Sequence, residues 1–237
     1  MEAWSLTFSN PVPYNEGLLF QYKLLEARQK NIIPDTILLM QHKPVVTIGN
    51  RGRTNYLLKT KEEYKQLGID FFKIERGGDV TFHGPGQWVL YPILHLGSKD
   101  VDSHGYLYNL EEIAIRVLKS YNIKGFRREG KSGAWTELGK IAAIGFRLKK
   151  WITFHGMSFN VLNNLEGFNT IIPCGLVDEP ITSLDQLLVE NISMNEVGKR
   201  ILNNFSTVCE RSIVQYKDYH NIPKKLLDLN PPILIDE

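Results

Sequence analysis

Apolar residues recur along this chain at two spacings, and each spacing predicts a different element. Three stretches carry them three to four residues apart, the repeat of a helix with one buried face. In residues 15–31 that face holds Leu18, Leu19, Tyr22 and Leu25. In residues 108–122 it holds Leu110, Ile113, Val117 and Leu118, with Asn109 as the expected N-cap. In residues 193–213 it holds Val197, Ile201, Phe205 and Val208, and Ser193 and Glu196 have the spacing of a capping box. Elsewhere the pattern is that of strands. "TILLMQHKPVVTIG" (36–49) predicts two strands around a Lys43-Pro44 break, because proline interrupts a ladder. "WVLYPILHL" (88–96) is almost continuously apolar and predicts a strand covered on both faces. "KIAAIGFRLKKWITFHGMSFNVL" (140–162) predicts a hairpin turning at Lys149-Lys150. Strands and helices neither alternate strictly nor segregate, so the expected class is α+β. Residues 1–220 are expected to form one catalytic domain. Residues 221–237, with three prolines and no period, are expected to form a C-terminal extension.

Composition narrows the function. The 237 residues carry a net charge of +2, with no clustered basic stripe, so nucleic acid is not an expected partner. No apolar run is long enough to span a bilayer, and the N-terminus has neither a signal-peptide nor a transit-peptide pattern. The expected location is the cytoplasm, or an organelle if a transit peptide has been removed. Two cysteines are too few for a disulfide framework, and none of the six histidines has metal-ligand spacing to either cysteine. No metal and no cofactor is expected.

Chemistry is suggested where glycines crowd together. "ERGGDVTFHGPGQWVLYP" (75–92) is a glycine-rich loop anchored by apolar flanks, lacking both the helix of a dinucleotide fingerprint and the Lys-Ser/Thr of a P-loop. In "GKIAAIGFR" (139–147) Lys140 opens a strand of small residues that could line a slot for a slim ligand. "TFHG" occurs at 81–84 and again at 153–156, which would let His83 and His155 face one cleft. Cys174 sits between Pro173 and Gly175, a corner that holds a thiol at a fixed point, whereas Cys209 lies in a helical run and reads as packing. A reactive Cys174 needs a cation or imidazole beside it, and Lys140, His83 and His155 are the candidates.

Three segments in register, "RGGDVTFHGPGQWVLYPI" (76–93), "GKIAAIGFRLKKWITFHGMSFNV" (139–161) and "IIPCG" (171–175), resemble the signature segments of the lipoyl(octanoyl) transferases. The resemblance spans roughly residues 4–210. It implies the biotin/lipoate protein ligase catalytic-domain fold, a mixed sheet flanked by helices. It also implies transfer of an octanoyl group from octanoyl-acyl carrier protein to a lysine of lipoyl domains, those of 2-oxoacid dehydrogenases and the glycine cleavage H protein. By the same resemblance Cys174 is the acyl-carrying nucleophile and Lys140 its partner. The acyl-substrate positions fall on Arg76, Gly77, Gly78, Asp79, Val80, Thr81, Phe82 and His83, on Ala143, Ile144 and Gly145, and on Gly156, Met157 and Ser158. Phe82 stands where tyrosine is common. A monomer without nucleic-acid or membrane partners is expected. The rival readings on this fold are an ATP-dependent lipoate- or biotin-protein ligase, in which Cys174 has no chemical duty, and a non-catalytic acyl-binding protein.

Overall fold

The computed structural model describes residues 1–8, 10–97, 102–175, 179–189, 191–217 and 223–230; the side chains of Cys174 and Lys217 lie outside that description. In chain order the elements are β1 (Glu2–Thr7), α1 (Tyr14–Gln29), β2 (Asp35–Met40), β3 (Val45–Ile48), α2 (Lys61–Gln66), β4 (Asp70–Lys73), β5 (Val80–His83), β6 (Gln87–Ile93) and α3 (Ser103–Lys119). They continue with β7 (Phe126–Arg128), β8 (Lys131–Thr136), β9 (Gly139–Lys149), β10 (Ile152–Asn160), α4 (Leu184–Leu187), α5 (Met194–Val208), β11 (Ser212–Lys217) and α6 (Lys224–Leu227). Eight strands form one mixed sheet in the order β11-β1-β2-β6-β10-β9-β8-β7, and β4-β3-β5 form a second, smaller sheet.

The large sheet is covered on both faces. Ile37, Leu39, Trp88 and Leu90 pack under α3 and α5, while their alternates Leu38, Met40, Val89 and Tyr91 pack on the side of α1. Every residue of β2 and β6 is buried, which is why residues 37–40 and 88–93 read as apolar runs rather than alternations. Leu226 of α6 is buried in the α1-side cluster, so part of the C-terminal extension is packed into the core. Asp35, buried at the start of β2, ties the far end of the sheet together. It accepts hydrogen bonds from Arg28 at 2.8 Å and Arg211 at 3.0 Å.

Several predicted details move. The buried face of α1 is Tyr14, Gly17, Phe20, Gln21, Leu24 and Leu25, and Leu19 is 56% exposed. Helix α1 lies close to β2, since a Cβ on Gly17 would stand 3.0 Å from His42 and 3.1 Å from the Met40 sulfur. The small and polar residues that make this contact possible were invisible to a count of large apolar ones. Helix α3 begins at Ser103, capped by Asp102, whose carboxylate accepts the Gly105 N–H at 2.8 Å; Asn109 is an interior residue. Helix α5 stops at Val208, and residues 212–217 form a strand instead of its last turn. The hairpin of β9 and β10 turns at Lys150 and Trp151, both at positive φ, the two-residue geometry that matches strand twist.

Candidate active site

Strand alternation decides what the glycine-rich loop offers. Along β5, Thr81 and His83 face one way, into a cavity of about 320 Å³, and Val80 and Phe82 face the other. Val80 and Phe82 therefore pack in the core of the small sheet, where the Phe82 ring meets Phe168 edge-on at 5.5 Å. Neither lines the cavity, and neither does Gly77, whose N–H donates to the Phe146 carbonyl at 3.0 Å. Arg76, Gly78 and Asp79 do line it, together with Ala143, Ile144 and Gly145 of β9 and Gly156, Met157 and Ser158 of β10. Lys140 completes the wall.

The floor is made of small residues set opposite one another. Ser158 pairs with Ala143 and Gly156 with Gly145 across the β9–β10 ladder. A Cβ on Gly156 would stand 2.2 Å from the Leu90 carbonyl oxygen, and one on Gly145 would stand 2.6 Å from that of Gly77. Backbone occupies the space a side chain would need, so glycine is required at both positions and the slot stays open.

Fixed polar groups surround this slot. The Arg76 guanidinium is buried and held by Thr47, donating to its carbonyl at 2.8 Å and its hydroxyl at 3.0 Å, and to the Gly77 carbonyl at 2.9 Å. His83 Nδ1 lies 2.7 Å from Gln87 Oε1. The Gln87 amide is oriented by its own donation to Asn160 Oδ1 at 2.8 Å, so His83 Nδ1 carries the proton and Nε2 keeps a lone pair. His42 lies behind, its Nδ1 donating to the Val12 carbonyl at 3.0 Å and its Nε2 accepting from the Tyr91 hydroxyl at 2.8 Å. Burial raises the titration of Tyr14 and Tyr91, so both line the cavity as neutral phenols.

Burial also depresses the imidazoles, His42 to about 4 and His83 to about 3, from an unfolded value of ~6.5. The folded values lie below the unfolded one, so the unfolded chain binds more protons in between. Stability is therefore complete above pH ~6.5 and lost as pH falls toward the folded values. The unfolding free energy read from urea titrations should drop between pH 7 and pH 5, a window above most carboxylates, by on the order of a few kcal/mol. An unchanged free energy across that window would contradict the burial of neutral histidines.

Lys140 is 3% exposed, and the 180–182 segment pins its backbone. Its N–H donates to the Pro180 carbonyl at 2.9 Å, and its carbonyl accepts from Thr182 at 3.0 Å. Its Nζ stands 5.4 Å from the Trp135 ring centroid, a cation–π contact. The side chain runs past Gly133, where a Cβ would come 2.7 Å from Lys140 Cε. Lys140 and Pro173 share the wall of a gap of about 10 Å³ with Ala143 and Ser158. Pro173 opens a 3-10 turn, Pro173–Gly175, that contains the Cys174 backbone; Gly175 has a φ of 65° and packs against the Tyr56 ring. The predicted nucleophilic side chain of Cys174 lies outside the described residues, and the turn that carries it borders the Lys140 wall. Cys209, at the end of α5, has its thiol pushed up to about 12 by burial.

Sequence reasoning passed over Tyr14, Tyr91, Arg51 and Arg53, which also line the cavity. Tyr91 had a signal, a polar tip inside an apolar run, and the arginines follow the strand β3 in "GNRGRTN". Both TFHG histidines reach the cavity, by different backbone routes: β5 is regular at His83, while His155 has a φ of 55°. Among the described residues no group of three or more His, Cys, Asp or Glu could hold a metal ion, and no helix is long and apolar enough to cross a membrane.

This architecture of a mixed sheet sandwiched by helices is that of lipoate-ligase catalytic domains. It superposes on a lipoate protein ligase of T. acidophilum with bound lipoic acid at a TM-score of 0.77 and 16% identity, covering 97% of this chain and 93% of the other. It superposes on lipoate-protein ligase A bound with ATP at 0.78 and 16%, covering 97% and 92%. The chain belongs to the lipoyl protein ligase A/B catalytic-domain family, whose model matches residues 13–206. Its relatives include the octanoyltransferase of Caldicellulosiruptor saccharolyticus, 45% identical over 199 residues, 83% of this chain and 85% of that one. The octanoyltransferase of Clostridium kluyveri is 40% identical over 215 residues, 91% of this chain and 92% of that one.

Proposed function

We propose that this acyltransferase takes an octanoyl group from octanoyl-acyl carrier protein and passes it to a lysine of a lipoyl domain, through a thioester on Cys174. The observation that carries the reading is the position of Lys140, a buried cation on the cavity wall that adjoins the turn holding Cys174. The ammonium favours the thiolate of Cys174 by charge attraction. The thiolate attacks the donor's thioester carbonyl; a new C–S bond forms, the old one breaks, and the carrier leaves as its thiol, taking the proton of the Lys140 ammonium. One thioester replaces another, so loading needs no ATP. The neutral acceptor amine then attacks the Cys174 thioester carbonyl; the C–N bond forms, the C–S bond breaks, and the amine's proton passes to the neutral Lys140 amine. The amide leaves with the Cys174 thiolate and Lys140 ammonium restored. The small-residue slot between Lys140 and the β9–β10 ladder receives the octanoyl chain, and Arg76 and His83 bound its side.

Purified chain, octanoyl-carrier protein and an unmodified lipoyl domain, mixed without ATP, should give a lipoyl domain heavier by one octanoyl group. Transfer that occurs only from free octanoate with ATP would make the chain a ligase. Donor binding with no transfer at all would make it an acyl-binding protein.

A further inference from the structure

Side chains of β10 alternate between the two faces of the sheet until the strand reaches His155. Met157 and Phe159 pack in the core under α3 and α5, Met157 also reaching the cavity edge, and Gly156 and Ser158 go to the cavity. Alternation would send His155 with Met157. Its left-handed φ of 55° breaks that order, and His155 lines the cavity beside Gly156. Its backbone N–H donates to Gln21 Oε1 at 2.9 Å, which fixes the irregular turn of the strand from outside the ladder. Neither of its ring nitrogens has a hydrogen-bond partner, although the residue is only 1% exposed. A non-glycine residue in this backbone region is strained, and a buried imidazole without partners is costly. Two costs at one residue on a cavity wall point to a ligand.

The ladder gives its place. His155 pairs with Phe146, six residues along β9 from Lys140, but the Lys140 side chain borders the gap that Ala143 lines. From Ala143 to Phe146 is about 10 Å at ordinary strand rise, about the span of an eight-carbon chain. The Ala143–Ser158 and Gly145–Gly156 pairs lie between Lys140 and His155. An acyl chain laid on this floor with its carbonyl near Lys140 points its methyl end at His155. The ring is neutral there, held down to about 3 by burial and by the nearby Arg76 and Arg147, so it offers one N–H and one lone pair.

We propose, resting on the octanoyltransferase reading, that His155 is the polar stop of the acyl cavity: a specificity residue that rejects longer hydrocarbon chains and receives chains bearing a distal hydroxyl. A methyl or methylene pressed on the ring strips both nitrogens of water and returns no hydrogen bond. A hydroxyl at the same point returns one. Octanoyl, decanoyl and 8-hydroxyoctanoyl groups on the same carrier protein provide the test, read as ratios of kcat/KM. The wild-type chain should use 8-hydroxyoctanoyl better than decanoyl by about tenfold. His155→Leu should raise the decanoyl-to-octanoyl ratio by about tenfold and abolish the preference for the hydroxylated chain. His155→Asn, which tolerates left-handed backbone and keeps a donor and an acceptor, should leave both ratios within about threefold. A wild-type chain that transfers octanoyl but does not favour the hydroxylated chain overturns the polar stop, and so do ratios unmoved in His155→Leu. A wild-type chain that transfers no octanoyl from the carrier overturns the underlying function instead.

Discussion

Cys174→Ser should abolish octanoyl transfer, lowering it by roughly a thousandfold or more, because a serine hydroxyl without a dedicated base is a far weaker nucleophile than a thiolate. The same change should remove the covalent adduct. Wild-type chain mixed with octanoyl-carrier protein should gain one octanoyl group that hydroxylamine removes, and peptide mapping should put it on Cys174. The other cysteine is an internal control. Cys209 has its thiol pushed up to about 12 by burial at the end of α5, so it holds almost no thiolate near neutral pH. Cys209→Ser should therefore keep activity within about twofold and leave the adduct intact. An adduct that maps to Cys209, or a Cys174→Ser chain that transfers normally, would remove the thioester route.

Lys140→Ala should lower kcat by roughly a hundred- to ten-thousandfold, the range for loss of a positioned proton-transfer or charge partner. Its distinguishing effect is on the thiol. Without the ammonium, the pH at which iodoacetamide alkylates Cys174 should rise toward the ~8.5 of an ordinary cysteine. A chain that has merely lost packing at Lys140 would lose activity and keep its alkylation profile, so the profile separates the two roles. Lys140→Arg should not restore activity. The lysine stem passes Gly133 so closely that a Cβ there would come within 2.7 Å of Cε, and a planar guanidinium does not fit that passage. An alkylation profile unmoved in Lys140→Ala would assign the tuning of Cys174 to another group, with His83 next in line on the same cavity wall.

Local pattern carried the parts of the fold whose partners are close in sequence. The β9–β10 hairpin, the buried β6 and the face of α3 could all be read from the spacing of apolar residues. The turn at Lys150-Trp151 slipped by one residue because neither residue is a usual left-handed one. The end of α5 was missed for the same reason. The chain leaves the helix through Glu210 at a φ of 52°, with no glycine to mark the stop. The small sheet and the β1–β11 pairing depend on contacts between distant segments, for which no spacing rule exists. The site divides in a similar way. Motif resemblance located the cavity segments, and the alternation of β5 then separated Thr81 and His83, which face it, from Val80 and Phe82, which do not. Tyr14 and Tyr91 belong to buried core clusters and line the cavity as well, a double role that apolar spacing does not mark.

Strand β1 lies between β2 and β11, and it pairs in parallel with both. Residues 2–7 leave the ribosome first among the strands and residues 212–217 last, so the outer side of β1 stays an open edge through nearly the whole of synthesis. The nascent chain thus carries an adhesive margin until its final strand emerges. A polypeptide cut before Ser212 would keep that margin permanently and be prone to strand-to-strand association with its own kind.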